Sequence, residues 1–205
     1  MEMVHMQRRK TFVKKRIIAA PVLALLALAG CATAPSQQDQ EATVAYKVTS
    51  PPQFPGHVPL VIDQAPSLKV GDYSKAIGLF SLRECNSDKT DCKLGQGKVG
   101  ANVKVVSLGA ESATIQVALD MNIGAEQVVE SKSETSDMSV SRSLSKDLPI
   151  LTDNQSITKT VELPYGAIGR INMNHGVSFR WCVLPGAPVT SPSGCSGTEF
   201  VLGAQ

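Results

Sequence analysis

Several things are missing from this 205-residue sequence, and each absence removes a class of molecule. After residue 42 no stretch carries apolar residues at a sustained spacing of 3.6, which argues against helical bundles and α/β folds. No apolar run is long enough for a membrane-spanning helix: the longest, Ile17 to Ala29, falls well short of a hydrocarbon core of roughly 30 Å at about 1.5 Å per residue. The motifs G-x-S-x-G, H-E-x-x-H and S-x-x-K are absent in any supporting context, and Ser141-Arg142-Ser143-Leu144 lacks the lysine. A basic footprint is missing too, once the first thirty residues are set apart. They hold Arg8, Arg9, Lys10, Lys14, Lys15 and Arg16 against Glu2, so 14 of the 20 basic and 17 of the 18 acidic residues lie beyond them, a net charge of −3. Nucleic-acid binding needs positive charge on the folded domain, so no nucleic-acid partner is expected.

What is present is first an address. A basic lead-in, an uncharged apolar run and small residues end in a cysteine, the order of an export signal. Residues Leu28-Ala29-Gly30-Cys31 resemble the lipobox of bacterial lipoproteins; the resemblance covers only the first thirty or so residues. It implies cleavage between Gly30 and Cys31, lipidation of Cys31, and attachment to a membrane through that lipid. Several acyl chains on one residue anchor durably without a spanning helix. Ala32 rather than Asp after the cysteine implies, by the same resemblance, the outer membrane of a Gram-negative cell, with the domain in the periplasm. The segment Arg8-Arg9-Lys10-Thr11-Phe12-Val13-Lys14 resembles a twin-arginine signal with one residue inserted, although an ordinary basic lead-in is the simpler reading.

Residues 1–30 thus read as signal peptide, 31–42 as acylated cysteine and tether, and 43–205 as one domain. From Ala32 to Glu41 no bulky apolar side chain occurs, so that segment cannot bury enough surface to offset its ordering entropy. About 163 residues remain, enough for one real core. Thr43 to Thr49 alternates and is rich in β-formers. Val58 to Ile62, broken by Pro59, suits an edge, and Ala76 to Leu82 reads as a strand or one helical turn, with Gly78 tilting the reading to strand. Lys98–Leu108 and Ser112–Met121 alternate on both sides of Gly109-Ala110-Glu111, the pattern of a hairpin. In the serine-rich stretch Ser131 to Ser145 the first half reads as loop and the second as a weak strand. Ser156 to Leu163 alternates again. After the turn Asn172 to Gly176, one face gathers Val177, Phe179, Trp181 and Val183, and this face is expected in the core. Thr198 to Leu202 reads as a closing edge. Eight or nine short strands give an all-β expectation: a single antiparallel β-sandwich or barrel-like domain behind a cleaved signal peptide and flexible tether.

With Cys31 assigned to lipid, Cys85, Cys92, Cys182 and Cys195 remain, an even number in an exported domain. Four cysteines allow three pairings. Cys85–Cys92 and Cys182–Cys195 are favoured, because turn-forming residues separate the members of each pair. A zinc held by four thiolates expects two Cys-x-x-Cys knuckles, whereas six and twelve residues intervene here.

Chemistry is sparse. Gly95-Gln96-Gly97-Lys98-Val99-Gly100 matches G-x-G-x-x-G, but follows a cysteine loop and runs into a strand, so it reads as flexible glycines entering a hairpin. Asn86, Asp88 and Asp91 lack the spacing of a calcium loop and read as a solvated acidic turn. His57 and His175 lie in loops; a cleft joining either to a carboxylate would favour catalysis. No catalytic residue, metal site or cofactor is expected. Tyr165, Arg170 and Arg180 are the polar residues most suited to touch a partner, Arg180 because it alternates with Phe179 and Trp181 and so faces outward. The expectation is a non-enzymatic accessory of an envelope, secretion or assembly complex, binding another envelope protein. A small-ligand or enzyme-inhibitor module is the alternative, and a cell-wall hydrolase a third reading by location alone.

Overall fold

A computed structural model describes residues 40–51, 60–132, 137–186 and 195–203. The expectations placed on Gly30, Cys31 and His57 lie outside these residues. Twelve strands and no α-helix occur among the described residues: β1 (Glu41–Thr49), β2 (Val61–Gln64), β3 (Ser67–Lys69), β4 (Tyr73–Cys85), β5 (Cys92–Leu108), β6 (Ser112–Gly124), β7 (Glu126–Lys132), β8 (Asp137–Ser143), β9 (Asp153–Pro164), β10 (Ile168–Asn172), β11 (Ser178–Pro185) and β12 (Glu199–Leu202). They form a β-sandwich. One sheet runs β12-β10-β11-β1-β2, with β3 also paired to β1; the other runs β4-β5-β6-β9, and β7 and β8 form a separate ribbon. Every strand pairing is antiparallel except β10 with β12.

Period-two alternation explains the layers, because successive side chains of a strand point to opposite faces. From β5 and β6 the inward rows are Val99, Ala101, Val103, Val105 and Ala113, Ile115, Val117, Leu119, all buried. Opposite them lie Val44, Tyr46 and Val48 of β1 and Phe179, Trp181 and Val183 of β11. Each such Val, Ile or Phe contributes about 1.5–3 kcal/mol relative to exposure. Tyr46, Phe179 and Trp181 stack in tilted contact, with ring centroids 5.8 and 5.4 Å apart along the series. The Tyr46 hydroxyl reaches Gln64 of β2 and lies 2.8 Å from Ser74 Oγ of β4, so a polar contact joins the sheets along one side. Burial pushes that phenol above its ordinary pKa, against the Ser74 hydrogen bond, which lowers it.

The β5–β6 hairpin matches the expectation, with Gly109 N–H donating to Ser112 C=O at 2.8 Å across its break. Boundaries differ at several strands, most at β4 and β5. β5 begins at Cys92 rather than Lys98, and β4 extends from Tyr73 to Cys85, because the two pair without interruption from Tyr73↔Lys104 to Cys85↔Cys92. The glycines of the G-x-G-x-x-G match are therefore strand residues, not a flexible entry. A Cβ on Gly97 would stand 2.3 Å from the Phe80 ring, and one on Gly95 2.5 Å from Ile123 Cγ2. Gly169 does the same for Trp181, whose ring lies 2.3 Å from where its Cβ would be. In both aromatic cases glycine and ring are direct cross-strand partners. The start of the serine-rich stretch also differs from the loop reading: Ser131 and Lys132 close β7, paired with Met138 and Asp137.

Candidate functional site

Strand register gathers charge on the outer face of the six-stranded sheet. β2, β1, β11 and β10 place Asp63, Lys47, Arg180 and Arg170 side by side, through Lys47↔Asp63, Lys47↔Arg180 and Arg170↔Arg180. Like charges directly opposite one another destabilise a sheet unless something sits between them. Here Glu199 of β12 does. Its carboxylate accepts from Arg170 Nη1 at 3.3 Å and Arg180 Nη2 at 2.9 Å, while Arg170 Nε donates to Asn172 Oδ1 at 2.8 Å. Beside this row lies a shallow trough of about 210 Å³ lined by Ala45, Lys47, Asp63, Ile168, Arg180 and Cys182. Val201, in register with Arg170, and Phe200 are exposed on the edge strand β12. Arg170 and Arg180, picked separately in the sequence, are thus one cluster. Lys47 and Glu199 complete it, and no signal in the sequence joins them, since their alignment comes from β1 pairing with β11 and β12 with β10.

Tyr165 stands elsewhere. It occupies the corner between β9 and β10, and its hydroxyl donates to the Gly109 carbonyl at 2.9 Å. The phenol pins one sheet-to-sheet corner to the β5–β6 turn, and burial raises its pKa.

The described histidine, His175, sits in a 3-10 turn, Asn174–Gly176, between β10 and β11. Its φ of 55° is left-handed, a region few non-glycine residues adopt. The ring is held from both sides. Nδ1 meets Glu84 Oε1 at the end of β4, and Nε2 lies 2.9 Å from Asp153 Oδ2 at the start of β9. Ionised carboxylates only accept, so the two contacts are both hydrogen bonds when the ring is doubly protonated, and the arrangement favours that charged form. Burial alone would lower its pKa, but the hydrogen bonds and charges of Glu84 and Asp153 raise it above the ordinary value. Asp153 is lowered, first by the Asn174 side-chain amide at 3.0 Å, against a desolvation that raises it, and then by His175. Gln155 Oε1 accepts from the Asn174 backbone N–H at 2.8 Å. A histidine joined to carboxylates was the arrangement that would favour catalysis. Here neither ring nitrogen is free to take a proton from a nucleophile.

The cysteines form two disulfides, Cys85–Cys92 and Cys182–Cys195, with Cα atoms 3.9 and 6.2 Å apart. The first closes the β4–β5 hairpin. In its turn Asn86 Oδ1 accepts from the N–H groups of Thr90 (2.9 Å) and Asp91 (3.2 Å), so the oxygen considered for calcium is used within the turn. The second ties Cys195, ahead of β12, to the buried Cys182 of β11.

No protein-family model matches the chain, and no curated protein matches it. Among solved structures the chain is similar to the membrane-distal domain of mouse lysosome-associated membrane protein 2, at 13% identity over 80% of this chain and 91% of that chain, with a TM-score of 0.22.

Proposed function

We propose that this protein is a lipid-anchored lipoprotein of the outer membrane, whose β-sandwich acts in the periplasm as a protein-binding accessory of an envelope, secretion or assembly complex. The observation that carries the binding part is the row Lys47–Arg180–Arg170 on the outer face of the six-stranded sheet, beside an apolar trough and the exposed Phe200 and Val201. Arginines and exposed apolar side chains around a small depression are the composition of an interface centre. Three cations against Asp63 and Glu199 fit a partner segment that brings one or two carboxylates. Two disulfides suit an oxidising compartment, and the lipobox resemblance at Leu28 to Cys31 supplies the anchor.

Crosslinking in the native host, followed by affinity recovery of the tagged full chain, tests the reading. A stoichiometric envelope partner should be recovered with the parent and lost with Arg180→Glu in a protein that still folds. Recovery of no partner, or one indifferent to Arg180→Glu, overturns it. Cys31→Ser should release the protein from the outer-membrane fraction; retention there overturns the anchor.

A further inference from the structure

A groove lies on the other sheet. The ribbon β7–β8 folds beside the outer face of β4-β5-β6-β9 and encloses with it an open groove of about 760 Å³. That is within the size of small-molecule sites, roughly 300–1,000 Å³. Its floor is two transverse rows set by strand register. One is Ile77, Gly100, Asp120 and Ser156, and the other includes Lys98, Asn122 and Asn154. Val128 and Val129 of β7 form an apolar wall and Glu130 a polar one. Lys98 Nζ donates to the Val128 carbonyl at 3.4 Å, tying ribbon to floor.

Gly100 is the informative residue. Gly95 and Gly97 are required by packing, as their Cβ atoms would strike Ile123 and Phe80. At Gly100 a Cβ would meet nothing closer than the Asp120 carbonyl oxygen at 3.9 Å, and its φ is not left-handed. Neither packing nor backbone conformation calls for glycine, which weakens a strand interior. A glycine there opens the middle of the groove floor, the arrangement found where a ligand approaches a strand closely.

We infer that this groove binds a neutral saccharide, and that an N-acetylated sugar fits it best. Over Gln96–Lys104 β5 is paired on both sides, as is β6 along the groove, so the floor offers an added peptide strand no backbone ladder and recognises through side chains alone. Those side chains are pre-oriented. Gln127 donates to Asn122, Asn122 donates to Asn154, and Ser156 Oγ donates to Asp120 Oδ1 at 2.7 Å. Asp120 keeps a second oxygen for a ligand hydroxyl, and Asn154 keeps two amide donors. Lys98 against Asp120 and Glu130 leaves no excess positive charge for a nucleic acid or an anionic lipid. Ile77, 52% exposed, and the two valines suit the C–H faces and acetyl methyl of such a sugar.

The full chain, in a detergent without sugar headgroups, is titrated calorimetrically with chitotriose and, separately, with cellotriose. Chitotriose should bind, and cellotriose should bind more weakly. Gly100→Val, whose side chain enters the groove and not the core, should weaken binding at least tenfold while the unfolding temperature is kept or raised. Asp120→Asn should weaken it while leaving the fold intact. No binding of either saccharide at millimolar concentration, or binding unchanged in a folded Gly100→Val protein, overturns the site. The Gly100→Val protein should still recover the partner bound through Arg180, so the two readings fail separately.

Discussion

His175 Nε2 stands 2.9 Å from Asp153 Oδ2, and the same ring meets Glu84 through Nδ1, so one side chain in the β10–β11 turn joins the ends of two strands of the opposite sheet. The pH dependence follows from the direction of each shift. The raised pKa of His175 gives stability fully present below about pH 6.5 and lost as pH rises through the folded value. The lowered pKa of Asp153 gives stability present above its ordinary value and lost as pH falls through the folded one. Thermal unfolding should therefore occur at higher temperature at pH 6 than at pH 9. His175→Asn keeps a residue tolerant of the left-handed backbone but removes the charge. It should cost about 1 kcal/mol at pH 6 and flatten the pH 6–9 dependence. A slope that persists in this variant would assign the effect to other groups.

Glycines that look alike in the sequence should respond in opposite ways. Gly97→Ala forces a Cβ into the Phe80 ring and should cost about 2 kcal/mol or more. Gly100→Ala makes only an ordinary contact with the Asp120 carbonyl and should be neutral or slightly stabilising. The emission of Trp181, the single and buried tryptophan, follows unfolding in urea for both.

Tyr165→Phe removes one hydroxyl and leaves the Gly109 carbonyl without that donor. The expected loss is about 1 kcal/mol, with faster hydrogen exchange confined to the β5–β6 turn and the β9–β10 corner. Equal protection in both proteins would show that the corner is held by its apolar contacts alone.

Non-reducing peptide mapping should recover Cys85 with Cys92 and Cys182 with Cys195. Each bridge contributes roughly 2–3 kcal/mol on the chain-entropy account. Replacing Cys182 and Cys195 together with serine should additionally loosen β12, because a four-residue parallel pairing and the Glu199 ion pairs to Arg170 and Arg180 are then its main ties to the sheet. Hydrogen exchange of Phe200 and Val201 should rise in that variant and stay unchanged when Cys85 and Cys92 are replaced.

The sequence shows most clearly those features that depend on neighbouring residues. Alternation around Gly109 gives the β5–β6 hairpin, and the same alternation puts Phe179, Trp181 and Val183 in the core. Three strands escape such reading. β3 has only three residues, β7 runs Val128-Val129 between polar residues without alternation, and β10 carries Gly169 where an apolar residue would mark its inward face. Gly169 is explained only by the ring of Trp181, twelve residues on. The candidate sites were less legible still. His175 is visibly a turn residue, but Glu84 lies 91 positions away and is brought near only by the packing of two sheets. The cation row needs the register of three strands, and Lys47 looks like an ordinary surface lysine until β11 is laid beside it.

The pairing of β1 with β11 also sets a clock. Synthesis runs from the amino end at roughly 5–20 residues per second, so β1 waits on the order of ten seconds before Ser178–Pro185 exists to lie against it. The consecutive hairpin β4–β5–β6 can zip meanwhile, and β9 can join it before the six-stranded sheet has its middle. Until then Val44, Tyr46 and Val48 lack the neighbours that bury them. Until β11 is made, the four-stranded sheet therefore lacks the layer that covers its apolar face. A product that stops short of β11 would lack the strand that lies against all of β1 from Ala42 to Thr49.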